Sequence, residues 1–139
     1  MTKREYRENA FLLLFEASFR DDTPEELYAL AEEVEEIRVD SKVRSLVEGV
    51  LGKQEELDAV IAAHSPKRAV SRIPRINLIL LRMALYELQY IPKTPVNVVV
   101  SEAVGISQRY TFQEDTGFIN GVLGAYVRSM PPRTAAEEA

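Results

Sequence analysis

The chain has 139 residues, of which 46% are hydrophobic and 28% are charged, and its formal net charge is −5. This length suits one domain that buries about two-thirds of its unfolded surface around a single core. No apolar run is long enough to cross a bilayer, and the first residues lack a secretory signal pattern, so we expect a cytoplasmic protein. The absence of cysteine and the single histidine argue against structural and catalytic zinc sites, so we expect no metal and no cofactor.

The charges are unevenly distributed along the chain. Residues 5–58 contain sixteen acidic and six basic side chains, whereas residues 59–110 contain two acidic and seven basic ones. A negative net charge argues against a general polyanion binder, because affinity for phosphates is largely electrostatic. A locally positive surface is nevertheless compatible with this distribution. There is no carboxylate between residues 59 and 86, and within this range the segment from Lys67 to Arg82 either contributes phosphate contacts or forms a solvated connector.

The first half of the chain predicts three or four helices. Thr2 and Glu5 form a capping signature before a helix over residues 3–19, and Thr23 with Glu26 forms another before a second helix. A third helix is expected to be capped by Asp40 or Ser41 and to stop or bend at Gly52. The apolar stripe of the second helix is expected to contain Leu27, Leu30, Ala31 and Val34, and its run of Glu32, Glu33, Glu35 and Glu36 is expected to face water.

The second half predicts a central helix that begins after Pro74, a helix over residues 95–110 and a last helix over residues 114–129. The run of three valines at 98–100 has strand propensity, but a lone strand cannot satisfy its backbone hydrogen bonds, so we reject a strand there. We therefore predict an all-α fold of about seven helices in one compact domain, residues 1–132. Residues 133–139 are expected to form a disordered tail.

No catalytic arrangement is recognisable in the sequence. Glu87 and Glu102 lie within apolar phrases, where an ion pair with an arginine such as Arg82, or backbone hydrogen bonds, explains them better than acid–base catalysis. The glycines at 117, 121 and 124 recur at helical spacing, which predicts a flat strip for close packing of backbones. Asn120 is expected to bond a neighbouring helix end, because an amide inside a helix needs partners.

Several phrases carry a resemblance to a known family. They are a basic start of the first helix, LRMALYEL at 81–88, the segment 95–107 with its SEAV phrase, and FINGVL at 118–123. The chain resembles the NusB family of transcription antitermination factors along nearly its whole length. The resemblance implies two packed helical bundles, no enzymatic activity, and binding to boxA-type RNA of ribosomal operons together with the ribosomal protein that doubles as NusE. That partnership lets RNA polymerase read through terminators in ribosomal RNA transcription.

The resemblance also implies which residues of this chain form the sites. Contacts with NusE would fall near Phe15 and Asn77. Cationic groups would hold phosphates while Tyr110 or Phe118 stacks an unpaired base. RNA contacts would fall on Lys3, Arg4 and Arg7 in the first helix and on Gln108, Arg109, Tyr110, Glu114 and Phe118 around the last two helices.

Two alternative functions belong to other classes, and the first of them remains open at this point. The acidic balance, the few N-terminal arginines and Gln108 in place of a lysine that is usual in the family are also compatible with a non-enzymatic protein-interaction module or a homodimer with weak RNA binding. An RNA-modifying enzyme is the second alternative, because NusB-like domains occur fused to ribosomal RNA methyltransferases. We do not expect such an enzyme, because 139 residues leave no room for the cofactor-binding domain that it needs.

Overall fold

The computed structural model describes residues 1–34 and 37–133. These residues form seven α-helices and one short 3-10 turn, Val70–Arg72, and contain no strand. The all-α prediction and the number of helices are confirmed. The chain divides into two units, Met1–Gly52 and Lys53–Ala139, which we call unit 1 and unit 2. The helices are α1 (Lys3–Ala17), α2 (Pro24–Ala31), α3 (Ser41–Gly52), α4 (Gln54–Ala63), α5 (Arg75–Tyr90), α6 (Val96–Tyr110) and α7 (Gln113–Ser129).

Side-chain caps fix the starts of all three helices of unit 1. The Thr2 hydroxyl accepts a hydrogen bond from the Glu5 amide at 3.0 Å. Thr23 and Glu26 form the complete reciprocal capping box, and a carboxylate oxygen of Asp40 accepts from the Val43 amide at 2.9 Å. Each cap satisfies an amide that has no partner within its own helix. The predicted helix starts are therefore confirmed.

The ends of α1 and α2 differ from the sequence prediction. α1 ends at Ala17, where the Ser18 hydroxyl donates to the Phe15 carbonyl. α2 ends at Ala31, so Val34 lies beyond it and is 42% exposed. The predicted stripe is wrong at Leu30 and Val34, because a helix of eight residues turns only its positions 27, 28 and 31 inward. Glu32 and Glu33 are exposed after the helix, and Glu35 and Glu36 lie outside the described residues.

In unit 1, α1 packs against α2 and α3. The Tyr28 hydroxyl of α2 donates to a carboxylate oxygen of Glu48 on α3 at 2.8 Å. Burial of the ring, and then this hydrogen bond, raise the pKa of Tyr28 well above its usual value. The phenol therefore stays neutral and keeps α2 joined to α3 over the whole physiological pH range.

α5 is the central helix of unit 2. It packs against α4, α6 and α7, and its apolar residues on several sides are buried, which is typical of a helix with neighbours all round. The guanidinium of Arg82 forms two parallel bonds of 2.7 and 2.8 Å to the carboxylate of Asp58 on α4. The carboxylate partner of Arg82 is therefore Asp58 and not Glu87, which is itself buried. The valine run belongs to α6, which confirms the rejection of a strand.

The last described residue is held against the α5–α6 connection. The Arg133 guanidinium donates to the carbonyl oxygens of Pro92, at 3.0 Å, of Leu88, at 3.2 Å, and of Thr94. The rest of the predicted tail, residues 134–139, lies outside the described residues. Over the described ranges, none of the helices has the length and apolar character that a membrane span needs.

The glycines of α7 do not serve internal packing. Gly117 and Gly121 are exposed, and a Cβ atom added to either would meet no atom within 4 Å. The predicted close packing of backbones at these glycines is therefore wrong. Asn120 is exposed as well, so water can satisfy its amide, and the predicted bond to a neighbouring helix end is not needed.

We expect Gly121→Ala to raise the free energy of unfolding by about 0.5–1 kcal/mol, because a glycine inside a helix loses more backbone entropy than alanine. Urea unfolding followed by circular dichroism measures this change. Ala125→Gly, one turn further along α7, is the matched control and should lower the free energy of unfolding. A loss of stability in Gly121→Ala would show that the added methyl group does meet a neighbour.

Candidate nucleic-acid interface

The start of α1 carries the first group of predicted contacts. Lys3 is exposed and Arg4 is half-buried, but Arg7 is only 4% exposed. The Arg7 guanidinium donates to the Lys3 carbonyl at 3.2 Å and lies 4.9 Å from the centroid of the Tyr6 ring. Arg7 thus has too little surface for a phosphate contact in this conformation. Its contacts instead hold the first turn that carries Lys3 and Arg4.

Lys42 adds a cation to this surface that the sequence did not reveal. Its ammonium nitrogen lies 4.4 Å from the centroid of the ring of Tyr6, the residue that precedes Arg7. Lys42 is exposed and belongs to the first turn of α3. Because thirty-six residues separate it from Tyr6, only the packing of α3 against α1 brings the two together. We call Lys3, Arg4 and Lys42 the α1 basic surface.

In unit 2, the corner between α6 and α7 carries the second group. Thr111 and Phe112 are the only residues between the two helices, and both have extended backbone conformations. The buried hydroxyl of Ser107 lies 2.8 Å from the Thr111 hydroxyl and 2.7 Å from the Thr116 hydroxyl. Thr111 can donate to the Ser107 carbonyl at 2.8 Å, which leaves Ser107 to donate to Thr111 and to accept from Thr116. This cluster joins the last turn of α6 to the first turn of α7.

The predicted contacts at this corner lie on both sides of the hydroxyl cluster. Gln108 and Arg109 are exposed in the last turn of α6, and Tyr110 is half-buried, with the Arg109 guanidinium 5.5 Å from its ring centroid. Glu114 is exposed in the first turn of α7. Phe118 follows Glu114 by one turn and is half-buried on the same side of the helix. Five predicted residues are thus carried by two adjacent, covalently connected helix ends.

Phe112 was not predicted, yet it is the most exposed large hydrophobic residue among those described, at 78%. It occupies the N-cap position of α7, where its side chain makes no capping hydrogen bond. Ser, Thr, Asp or Asn would stabilise that position. Phe112 thus departs from two local patterns, because a large apolar ring is exposed and the helix start lacks a side-chain cap. Such departures are expected where function overrides stability. We call Arg109, Tyr110, Phe112, Glu114 and Phe118 the α6–α7 surface.

The two predicted partner residues have different exposures. Phe15 is half-buried in a ladder of aromatic rings, 6.2 Å from Phe11 and 5.0 Å from Phe19, which is 61% exposed. Asn77 has no exposed surface. Its amide nitrogen donates to a carboxylate oxygen of Asp115 at 2.9 Å, and its amide oxygen is buried without a hydrogen-bond partner. A direct contact of Asn77 with a partner is therefore not available here; the residue joins α5 to the start of α7.

Comparison with known proteins places this architecture in a family. The model of the NusB family matches residues 4–128. The chain belongs to the NusB family. It is 34% identical over 127 residues to the transcription antitermination protein NusB of Oceanobacillus iheyensis, covering 91% of this chain and 99% of that protein. The family resemblance drawn from the sequence phrases is confirmed.

Solved NusB structures share the fold. NusB from T. maritima superposes with a TM-score of 0.82 at 26% identity, over 95% of this chain and 94% of that one. A NusB crystallised with NusE and double-stranded RNA superposes with a TM-score of 0.80 at 24% identity, over 92% and 97% of the two chains. The chain is thus a member of a family of transcription antitermination factors and shares the fold of solved NusB structures.

We expect Asn77→Asp to lower the free energy of unfolding by about 3–5 kcal/mol, because it buries a charge that nothing compensates, beside the Asp115 carboxylate. The deficit should shrink as the pH falls towards about 4, where a protonated carboxyl can donate the bond to Asp115. Urea unfolding at several pH values measures both effects. Asn97→Asp on the exposed side of α6 is the control. Equal stability of the two variants would contradict the role given to Asn77.

Proposed function

We propose that the chain acts in transcription antitermination by binding single-stranded, boxA-like RNA of ribosomal RNA operons together with a NusE-type ribosomal protein. Family membership supports this proposal, as does the occurrence of the same fold in a crystal structure of NusB with NusE and double-stranded RNA. The observation that carries it is the exposed aromatic and cationic α6–α7 surface, which the Ser107 cluster holds in place. In the bacterial cytoplasm, the complex would join the elongating RNA polymerase and promote read-through of terminators.

The chemistry of the α6–α7 surface favours unpaired bases. Ring faces are offered by Phe112 and by the exposed parts of Tyr110 and Phe118. An unpaired base can stack on such a face, whereas a base inside a duplex is already stacked on its neighbours. Stacking on one such ring contributes about 1–3 kcal/mol and depends little on sequence. Gln108 and the Glu114 carboxylate can add hydrogen bonds to base edges, and Arg109 can pair with a phosphate.

The α1 basic surface suits the RNA backbone. Lys3, Arg4 and Lys42 carry positive charge, and each phosphate contact releases counterions, so affinity should fall steeply with salt. Arg7 enters this proposal as a positioning residue, because its guanidinium is bonded to the Lys3 carbonyl. A locally basic surface of this kind explains how a chain with a net charge of −5 can bind a polyanion.

The NusE-type partner is proposed to bind the aromatic ladder at the end of α1. Phe19 supplies an exposed ring and Phe15 a half-buried one beside it. Large aromatic side chains with buried neighbours are typical centres of protein interfaces. Asn77 would act indirectly, through its bond to Asp115. We assign no catalytic step to this function, and no group of metal-binding side chains occurs within the part of the chain that the structure describes.

We expect Phe112→Ser to have opposite effects on stability and RNA binding. A serine at the N-cap should raise the free energy of unfolding by about 1 kcal/mol, whereas loss of the stacking ring should weaken boxA-like RNA binding by about five- to 150-fold. Urea unfolding and fluorescence anisotropy, with and without the NusE-type partner, measure the two effects. Tyr86→Ser, on α5, is the control for loss of an aromatic ring. RNA affinity that is unchanged in Phe112→Ser would exclude this ring from the site.

We expect Phe19→Ser to weaken binding of the NusE-type partner at least tenfold, about 1.4 kcal/mol, and to leave RNA binding by the chain alone unchanged. Isothermal titration calorimetry with the purified partner provides the measurement. Val34→Ser, which removes another exposed apolar side chain of unit 1, is the control. If the wild-type chain binds the NusE-type partner but no RNA, the result would instead favour the protein-interaction module. Sedimentation of the chain alone tests the homodimer.

A further inference from the structure

The connector between α4 and α5 is an ordered structure and not a loose linker. The Ser65 hydroxyl donates to the Arg68 carbonyl at 2.9 Å, and the Arg68 amide donates back to the Ser65 carbonyl at 3.2 Å. The 3-10 turn follows, with the Arg72 amide donating to the Ala69 carbonyl at 2.9 Å. Ser65 and Ile73 are buried at the two ends of the connector, 7% and 6% exposed. The backbone between them is therefore held in one arrangement.

This backbone carries cationic side chains. Lys67, Arg68 and Arg72 are all exposed, and the chain has no carboxylate between residues 59 and 86. Within residues 1–34 and 37–133, no salt bridge neutralises any of these three side chains. Arg82, which also lies in this segment, is already held by Asp58 and cannot contribute. Among the described residues, the connector thus carries three positive charges without a salt-bridge partner, on a chain whose net charge is −5.

One contact places this charge at the α6–α7 surface. The guanidinium carbon of Arg68 lies 4.5 Å above the centroid of the Phe118 ring. A guanidinium stacked on an aromatic face keeps its in-plane N–H donors available at the edge, where they can reach phosphate oxygens. Arg68 therefore lies beside a ring proposed to contact RNA and remains able to bind an anion.

We propose that the basic connector, Lys67, Arg68 and Arg72, binds phosphates of the RNA strand that occupies the α6–α7 surface, with Arg68 as its main contact. This inference rests on the proposed function and extends the RNA site to a segment outside the family phrases found in the sequence. It also compensates for Gln108, a neutral side chain at the edge of the α6–α7 surface.

The test is the salt dependence of boxA-like RNA binding, measured by fluorescence anisotropy for the full chain with the NusE-type partner present. Each phosphate contact with a single strand contributes about 0.7 to the slope of log K against log salt concentration. We expect Lys67→Gln/Arg68→Gln to lower that slope by about 1.4, with a matching loss of affinity at low salt. The slope is the deciding quantity, because loss of Arg68 also uncovers the Phe118 ring and can change stacking.

Two further variants make the result specific. Arg68→Lys retains the charge and should keep most of the slope. Lys93→Gln removes an exposed cation beyond the other end of α5 and should leave the slope unchanged. The helix between the two positions has 16 residues and is therefore about 24 Å long. All three variants should retain the wild-type Tm, since the connector is fixed by the Ser65 hydroxyl and backbone atoms.

The failures of the two proposals give different results. Salt-dependent binding by the wild type with an unchanged slope in Lys67→Gln/Arg68→Gln would overturn the role of the connector and leave the proposed function standing. If Lys67→Gln/Arg68→Gln loses binding of the NusE-type partner and keeps the salt slope of RNA binding, the proposed RNA contact of the connector would also be overturned. The connector would then be a protein contact. No RNA binding by the wild type at any salt concentration would overturn both proposals.

Discussion

Burial of α5 on several sides is the constraint on which unit 2 depends. A helix with apolar residues on several sides is stable only when neighbours cover those sides, and α4, α6 and α7 do so. Two of its polar side chains then form hydrogen bonds to neighbouring helices, Arg82 to Asp58 on α4 and Asn77 to Asp115 on α7. The α6–α7 surface owes its rigidity to this packing, because the helices that carry it cannot move independently of α5.

The proposed RNA site depends on small polar contacts as much as on its exposed residues. The hydroxyls of Ser107, Thr111 and Thr116 hold the sharp corner between α6 and α7, at which Phe112 is exposed. Within the described part of the chain, the buried amide oxygen of Asn77 has no hydrogen-bond partner, and an unpaired buried polar atom is a local cost. The missing cap at Phe112 is a further local cost. Such costs at one end of α7 fit a region selected for binding and not for stability.

Charge explains how an acidic chain can be a candidate for RNA binding. The acidic residues are concentrated before residue 59, whereas the connector before α5 has cations and no carboxylates. In unit 1, α3 adds Lys42 to the start of α1, where the sequence alone shows only Lys3, Arg4 and Arg7. Net charge is therefore a poor guide to function here, and the local surroundings of each cation decide which ones can meet a phosphate.

The helices and the family could be predicted from the amino-acid sequence, because caps, prolines and apolar periodicity are local signals and the motifs at 81–88 and 118–123 are specific. The tertiary structure decided which side chains are available. Arg7 has the right charge but is buried, Phe112 carries no family signal but is exposed, and Arg68 meets Phe118 across fifty residues of sequence. Burial and contact depend on how helices pack against one another, and periodicity within a single helix does not contain that information.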